Sequence, residues 1–143
     1  MIAVILDTNI VVQSVIGSPA SASARVIDAY FAGRFRLVHS TATVDELLEV
    51  LCVPHIRHRH GFSDEEILEL LASLLVGSET YRGDMVVSPA LTRDVTDTKF
   101  LSLAVESAAD YLVTNDHRHL LPLRQFQTTR IVTPAAFLRD LEG

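Results

Sequence analysis

The sequence predicts an α/β fold in which helices cover both faces of a mostly parallel central sheet. Short β-branched runs alternate with longer segments of helical periodicity, and strands that alternate with helices are typical of parallel sheets. The first run, residues 2–6 (IAVIL), is apolar at every position, as strands buried on both faces are. No repeat, linker or low-complexity tract interrupts the pattern, so we expect a single domain over residues 1–143.

Chain breakers divide the first half of the sequence into two predicted strands and three predicted helices. The first strand ends at Asp7-Thr8-Asn9, Gly17-Ser18-Pro19 separates the first two helices, and Pro54 stops the third. The predicted elements are a strand over 2–6, a helix from about 10 to the break at 17–19, a helix over about 22–32, a strand over 35–39 and a helix from 40–43 to 53.

The second half begins with the clearest helix in the sequence, Ser63 to Val76. Ser63 and Glu66 have the spacing of a capping box, and leucine and isoleucine recur on one face of the helix. The remaining predicted elements are a short strand over 84–88, a helix over about 95–109, strands over 111–113 and 130–132, and a closing helix that begins near 134.

Composition excludes several classes of protein. A hydrophobic content of 48% and a charged content of 21% are those of a folded globular domain. The single Cys52 excludes an internal disulfide and a cysteine-based zinc cluster, and it fits a reducing cytoplasm. No apolar run is long enough to span a membrane. The opening MIAVILD meets a charge too early for a secretion signal, so we expect a cytoplasmic protein with no membrane partner.

The net charge of −6 argues against nucleic-acid binding through bulk positive charge. An acidic protein can still act on nucleic acid if metal ions neutralise its carboxylates where the phosphate lies. The basic residues are also clustered, in the segments 55–60 and 117–124. Charge therefore weakens a nucleic-acid function without excluding it.

Acidic residues follow the predicted strands or begin the predicted helices. Asp7 follows the first strand, Glu46 lies in the helix after the second, Asp97 lies near a helix start, and Asp116 follows the strand over 111–113. The carboxyl ends of parallel strands meet at one edge of a sheet, where ligands bind. Mg²⁺ and Mn²⁺ prefer such carboxylate oxygens, and they assist phosphodiester hydrolysis by polarising the phosphate. Together these four acids predict a divalent-metal site.

Each acid also has a purely structural interpretation. Asp7 could cap the following helix, and Asp116 could cap a short turn over 117–121. Glu46 lies three residues after Thr43, so it could complete a capping box, or it could be plain surface. These alternatives stay open for each acid taken alone.

Asp97 is the more informative acid, because it shares a helical stripe with apolar residues. The stripe continues through Leu101, Ala104 and Ala108. A carboxylate in line with a core stripe is unfavourable unless it is paired, capped or bound to metal. Asp94, one turn earlier, is the better N-cap candidate and a second choice of metal ligand.

Four segments, in this order, resemble the PIN-domain nucleases. They are DTN at 7–9, the ATVDELLEVL helix that carries Glu46, TRDVTDTKFLSLAVE around Asp97, and ADYLVTND ending at Asp116. The resemblance covers nearly the whole chain, and the opening DTN with the closing VTND is its most specific part. The closest subgroup is that of the toxin components of prokaryotic toxin–antitoxin systems, which PHIRHRHGFSDEE also resembles.

The resemblance implies a three-layer α/β/α sandwich, RNA cleavage that depends on Mg²⁺ or Mn²⁺, a homodimer, and a cognate antitoxin that restrains the enzyme. By position, the matching metal-site acids are Asp7, Glu46, Asp97 and Asp116. Asn9 and Thr114 match polar residues that orient those carboxylates. The stretch around the third acid departs from the usual RDPxDD, because Val95 replaces the proline and Thr98 a frequent acid. This departure weakens the assignment of Asp94 but not that of Asp97.

The basic segments offer candidates for substrate binding. Arg57 and Arg59 could hold phosphate from a loop, since arginine binds phosphate through paired hydrogen bonds. The alternatives are a solvated loop between two helices and, for the histidines of 55–60, a zinc site. Arg118 follows Asp116 closely enough to reach substrate, or it is exposed surface.

These observations support three hypotheses of different classes. The first is a metal-dependent endoribonuclease, the toxin of a toxin–antitoxin pair. The second is a PIN-like binding module with a silent metal site, which acts through protein partners. The third is a phosphotransfer protein, but Asp7-Thr8-Asn9 lacks the second aspartate of a DxD nucleophile motif.

Overall fold

The computed structural model describes residues 1–83 and 98–143 of the chain, and within them six strands form one sheet. The strands are β1 (Ala3–Leu6), β2 (Arg36–Ser40), β3 (Glu79–Tyr81), β4 (Tyr111–Val113), β5 (Gln125–Phe126) and β6 (Thr129–Val132). The helices of the same residues are α1 (Thr8–Ile16), α2 (Ala22–Phe31), α3 (Thr41–Leu51), α4 (Pro54–His60), α5 (Asp64–Leu75), α6 (Thr98–Ser107) and α7 (Pro134–Glu142). A short 3₁₀ turn spans Leu121–Leu123.

The strand order β3-β2-β1-β4-β6-β5 confirms the predicted α/β class. All neighbouring pairs are parallel except β5 and β6, which pair antiparallel. The chain builds outward from β1 in one direction through β2 and β3, and then returns to the other side of β1 as β4. The order therefore reverses between β1 and β4, and the crevice at the carboxyl ends of such a strand pair is where α/β sheets bind ligands.

Apolar side chains from alternate positions of β1 enter two separate cores, which gives the fold three layers. Val4 and Leu6 pack against α1, α2 and α7 on one face of the sheet. Ala3 and Ile5 pack against α6 on the other face. A third cluster joins α1, α3 and α5 around Val12. This is the α/β/α arrangement expected from the sequence.

Segment 54–60 corrects the sequence-based expectation of a loop. It is the helix α4, with Pro54 at its first position and Gly61 (φ 69°) at its C-cap. The first N–H of a helix has no partner within it, so proline, which lacks an N–H, fits at that position. Pro54, which the sequence analysis took only as the end of α3, therefore starts α4. The helix α1 also differs from expectation. It begins at Thr8 and not at about residue 10, because Asp7 occupies its N-cap position.

Other boundaries also differ from expectation. The two short strands β3 and β5 were not predicted, and the strand predicted over 84–88 lies outside the described residues. The described part of the helix predicted over 95–109 ends at Ser107. Ala108 has a φ of 51° and is exposed, so it does not continue the core stripe of Leu101 and Ala104, both of which are buried.

Among the described residues, no helix combines the length and the apolar character that a bilayer crossing requires.

Candidate functional site

Asp7 lies at the reversal point of the sheet, directly after β1. Its backbone N–H donates to the carbonyl of Val113, 3.0 Å away, which joins the ends of β1 and β4. The residue is only 6% exposed. Although Asp7 occupies the N-cap position of α1, its side chain makes no capping hydrogen bond. Asp7 is thus the N-cap residue of α1 by position, but its side chain does not form the hydrogen bond of a helix cap.

Thr114 connects two of the predicted acids. Its hydroxyl donates to Oδ2 of Asp7 at 2.6 Å and accepts from the backbone N–H of Asp116 at 2.9 Å. Thr114 is completely buried. The hydroxyl thus sets the orientation of Asp7 and the path of the chain into Asp116. Asn9, the other polar residue of the resemblance, is exposed near the start of α1.

Glu46 is half-buried on α3, close enough to Asp7 for its charge to act on that carboxyl group. Its Oε2 accepts from the hydroxyl of Thr8, and its Oε1 accepts from Nζ of Lys99 at 2.9 Å. The capping box of α3 is formed by Ser40 and Thr43. Glu46 is therefore neither part of a capping box nor plain surface.

Asp116 caps a turn, which is the structural role that the sequence allowed for it. Its Oδ1 accepts from the backbone N–H of Arg118 at 3.0 Å and of His119 at 2.9 Å, which confirms that it caps a turn. Its Oδ2 lies 3.5 Å from Nδ1 of His119. This capping fixes the carboxylate at the carboxyl end of β4, two residues beyond Thr114.

We call Asp7, Glu46 and Asp116 the acidic cluster. Burial raises the pKa of Asp7 from 3.8 to about 6, the hydrogen bond from Thr114 opposes the rise, and the charges of Glu46 and Asp116 add to it. The repulsion of nearby like charges that disfavours ionisation of an acid is relieved when a cation lies among them. The cluster is thus electrostatically suited to positive charge.

The donor chemistry of the cluster fits a hard divalent cation, since carboxylate oxygens are the ligands that Mg²⁺ and Mn²⁺ prefer. Within residues 1–83 and 98–143, no three Asp, Glu, His or Cys side chains are grouped closely enough to bind a metal by themselves. Asp97, the fourth acid of the prediction, and Asp94 lie outside the described residues.

Sequence reasoning missed Thr8 and Lys99, the two side chains that hold Glu46. Thr8 was visible within the DTN segment, and Lys99 lies two residues after Asp97. Lys99 is the one lysine of the sequence, and its side chain is 25% exposed. A lone lysine two residues from a predicted metal-site acid was a usable signal.

The predicted arginines occupy different places. Arg118 is exposed next to Asp116. Arg57 is paired with Asp64 at the start of α5, and Arg59 is exposed. Their helix α4 packs through Ile56 into the third cluster, which includes residues at the carboxyl end of α1. Asp7 precedes the amino end of that helix, so α4 lies away from the acidic cluster.

The zinc alternative for segment 55–60 is contradicted by His60. Its Nε2 lies 2.9 Å from the carbonyl of Leu51, and its Nδ1 accepts from the backbone N–H of Phe62 at 2.9 Å. Both ring nitrogens are therefore hydrogen-bonded to backbone groups: Nδ1 accepts, so Nε2 carries the proton and donates. The imidazole fastens α4 to the end of α3 and leaves no lone pair for a metal.

A comparison with protein families gives one match. A family model described as a PIN domain matches residues 3–118, which is more than half of the chain and runs from β1 to just beyond Asp116. PIN domains are generally nucleases that use divalent metal ions, so the match indicates a nuclease. A search of curated proteins found no match.

Proposed function

The chain belongs to the PIN-domain family, and on that premise we propose that it is a metal-dependent endoribonuclease, the toxin of a toxin–antitoxin pair. The observation that carries the proposal is the buried carboxylate of Asp7, set between two strand ends and acted on by the charges of Glu46 and Asp116. A buried acid beside two others is unfavourable without a cation. Such a site is typical of function rather than of stability.

Four carboxylates would hold Mg²⁺ or Mn²⁺: Asp7, Glu46, Asp97 and Asp116. When bound, the cation supplies a Lewis acid that polarises the phosphate and neutralises developing charge. The protein's own contribution is orientation. Thr114 directs Oδ2 of Asp7, and the turn at 117–119 holds Oδ1 of Asp116. Hydrogen-bonded carboxylates of this kind keep the geometry that metal affinity depends on.

The reaction would be hydrolysis of an RNA phosphodiester. A water oxygen bonds to phosphorus, the bond from phosphorus to the 3′ oxygen breaks, and a proton reaches that oxygen, which leaves a 5′ phosphate and a 3′ hydroxyl. Glu46 would either bind the cation or take the proton of the attacking water at a carboxylate oxygen. Thr8 and Lys99 fix the carboxylate for either role.

Arginine side chains would contact the RNA beyond the cleaved bond. Arg118 adjoins Asp116, so we assign it to a phosphate next to the site. Arg57 and Arg59, which lie on α4, would contact the RNA strand further from the cleaved bond. Replacing Arg57 and Arg59 together by alanine should weaken RNA binding and flatten its salt dependence. Unchanged RNA affinity would remove α4 from the substrate path.

Cleavage assays with matched variants test the nuclease. Single-stranded and structured RNAs are incubated with Mg²⁺, Mn²⁺ or EDTA, and the wild type is compared with Asp7→Asn, Asp97→Asn and Asp28→Asn. Asp28 is an exposed acid of α2, so its variant controls for the loss of one charge. Metal-dependent cutting that both site variants lose and the control keeps would support the proposal.

A folded wild type that binds no Mn²⁺ and cuts no RNA would overturn it in favour of a binding module. Calorimetric titration with Mn²⁺ makes that distinction without relying on the choice of RNA. The toxin role has its own test, in which expression of the chain should arrest growth and co-expression of a short neighbouring reading frame should restore it. Sedimentation analysis tests the proposed homodimer.

A further inference from the structure

A solvent-open cavity of about 350 Å³ lies beside the acidic cluster, at the same edge of the sheet. Asn115, which directly precedes Asp116, lines it together with Gln13 of α1. The rest of the lining comes from the first residues of α2 and α7 and the residues that cap them. Among the described residues, none with a charged side chain lines the cavity. An uncharged hollow thus adjoins an acidic site.

The helix α2, ten residues long, begins at this cavity. The first N–H groups of a helix have no partner within it, and they lie at the positive end of the helix dipole. Ser21 caps one of them, because its hydroxyl oxygen accepts from the N–H of Ala24 at 3.2 Å. The N–H groups of Ala22 and Ser23 have no hydrogen-bond partner among the described residues. Both residues line the cavity.

The helix α7, nine residues long, begins at the same cavity. Pro134 at its first position has no N–H, and the hydroxyl oxygen of Thr133 accepts from the N–H of Ala136 at 3.2 Å. The N–H of Ala135 therefore remains without a partner in the described part of the chain. Two helix dipoles and three backbone donors meet at one hollow.

The side chain of Ser23 is an independent sign of a ligand. Ser23 is 5% exposed and lines the cavity, and its hydroxyl has no hydrogen-bond partner among residues 1–83 and 98–143. Because the rest of the residue is packed in the protein, the hydroxyl can form a hydrogen bond only with what enters the cavity. An acceptor bound in the cavity would complete its hydrogen bonding.

We propose that this cavity binds a backbone phosphate of the RNA strand next to the phosphate that is cut; this inference rests on the proposed ribonuclease function. Helix N-termini bind phosphate through backbone N–H groups and the helix dipole. The Ser23 hydroxyl and the Asn115 amide add donors at the same place. A site built from neutral donors also explains how a chain with a net charge of −6 holds a polyanion.

NMR on the unmodified protein gives the first test. In EDTA, where RNA stays intact, the protein is titrated with inorganic phosphate and, separately, with a single-stranded RNA. We expect both ligands to shift the amide signals of Ala22, Ser23 and Ala135. RNA that binds without moving these signals overturns the proposal. Signals that move with inorganic phosphate alone also overturn it, because the cavity would then be a site for free phosphate.

Substitutions at Ser23 give the second test. Ser23→Asp places a carboxylate on the amino end of α2, which favours the helix but repels phosphate, so the RNA Kd should rise about tenfold or more. Ser23→Ala removes only the hydroxyl, and a rise of about threefold is expected. Ser73→Asp makes the same chemical change on the exposed face of α5, which does not line the cavity, and should bind RNA like the wild type.

Cleavage by the wild type is measured separately, so that the two proposals fail in different ways. RNA binding that Ser23→Asp weakens, without cleavage under any metal, would refute the ribonuclease and retain the phosphate site. Metal-dependent cleavage with equal RNA affinity in Ser23→Asp and Ser73→Asp would retain the ribonuclease and refute the phosphate site.

Discussion

The hydroxyl of Thr114 lies 2.6 Å from Oδ2 of Asp7, across 107 residues of sequence. This hydrogen bond joins the ends of the two strands between which the strand order reverses. The same hydroxyl accepts from the N–H of Asp116, so one completely buried side chain serves two members of the acidic cluster. The site therefore depends on a residue that needs no contact with substrate or metal.

Thr114→Val should lower both stability and activity, because it keeps the shape of the side chain and removes both hydrogen bonds. We expect the free energy of unfolding to fall by about 1–3 kcal/mol, the penalty of an unpaired buried polar group. Thr114→Ser keeps the hydroxyl and is the control. Urea denaturation in EDTA measures the difference, and equal stability of the two variants would contradict this role of the hydroxyl.

Asp7→Asn should stabilise the metal-free protein at neutral pH while it abolishes cleavage. The pKa of Asp7 is about 6 in the fold against an ordinary value of 3.8, so the folded state binds the proton more tightly. Stability therefore falls as pH rises from about 4 to about 6 and stays lower above that. The shift corresponds to at most roughly 3 kcal/mol at pH 8, a penalty that the neutral asparagine avoids.

Thermal unfolding in EDTA at pH 4 and pH 8 measures this effect. The Tm advantage of Asp7→Asn should be small at pH 4 and larger at pH 8, and Asp28→Asn should show no such trend. Added Mn²⁺ should raise the Tm of the wild type but not that of Asp7→Asn, since a ligand stabilises only the state that binds it. A wild type more stable than Asp7→Asn at pH 8 without metal would refute the electrostatic account.

Lys99→Met should tighten Mn²⁺ binding, because Lys99 places a positive charge 2.9 Å from Oε1 of Glu46. Removing that charge leaves the acidic cluster more negative. We expect Mn²⁺ affinity to rise by about threefold to tenfold, the effect of one nearby partly exposed charge. Lys99→Arg keeps the charge and should bind Mn²⁺ like the wild type. Weaker binding in Lys99→Met would mean that orientation of Glu46 by Lys99 outweighs its charge.

Gly83→Ala should destabilise the junction between β3 and α3 more than a glycine substitution elsewhere. Gly83 has a φ of +75°, and an added Cβ would lie 2.7 Å from Cβ of Ser40, the N-cap of α3. Gly33 has a φ of +78°, and a Cβ added there would meet no atom within 4 Å. Gly33→Ala therefore measures backbone strain alone, about 1 kcal/mol, and Gly83→Ala should exceed it in urea denaturation. Equal losses would exclude the steric contact with Ser40.

Much of the fold followed from local patterns. The apolar run of β1, the capping box of Ser63 and the DTN and VTND segments each identified an element or a strand end that the structure contains. Segment 54–60 was wrongly predicted to be a loop. A proline can end one helix or start the next, and the sequence does not show that Pro54 also starts α4. The strands β3 and β5 have three and two residues, too few for any periodicity.

The candidate site was predictable to the extent that it consists of strand ends. Asp7 and Asp116 were placed by the rule that parallel strands end at one edge. The bonds of Thr8 and Lys99 to Glu46 depend on how α1 and α6 pack against α3, which spacing along the chain does not specify. The cavity between α2 and α7 was unpredictable for the same reason, since its donors are backbone groups that every sequence possesses.

The order in which the strands of the sheet are synthesised has a consequence for folding on the ribosome. During translation β1 emerges long before β4, whose end carries Thr114 and Asp116, and β6 emerges later still. Domains fold as units once their long-range contacts can form. A ribosome making this chain would thus hold an incomplete enzyme next to its own messenger until β4 and β6 have also emerged.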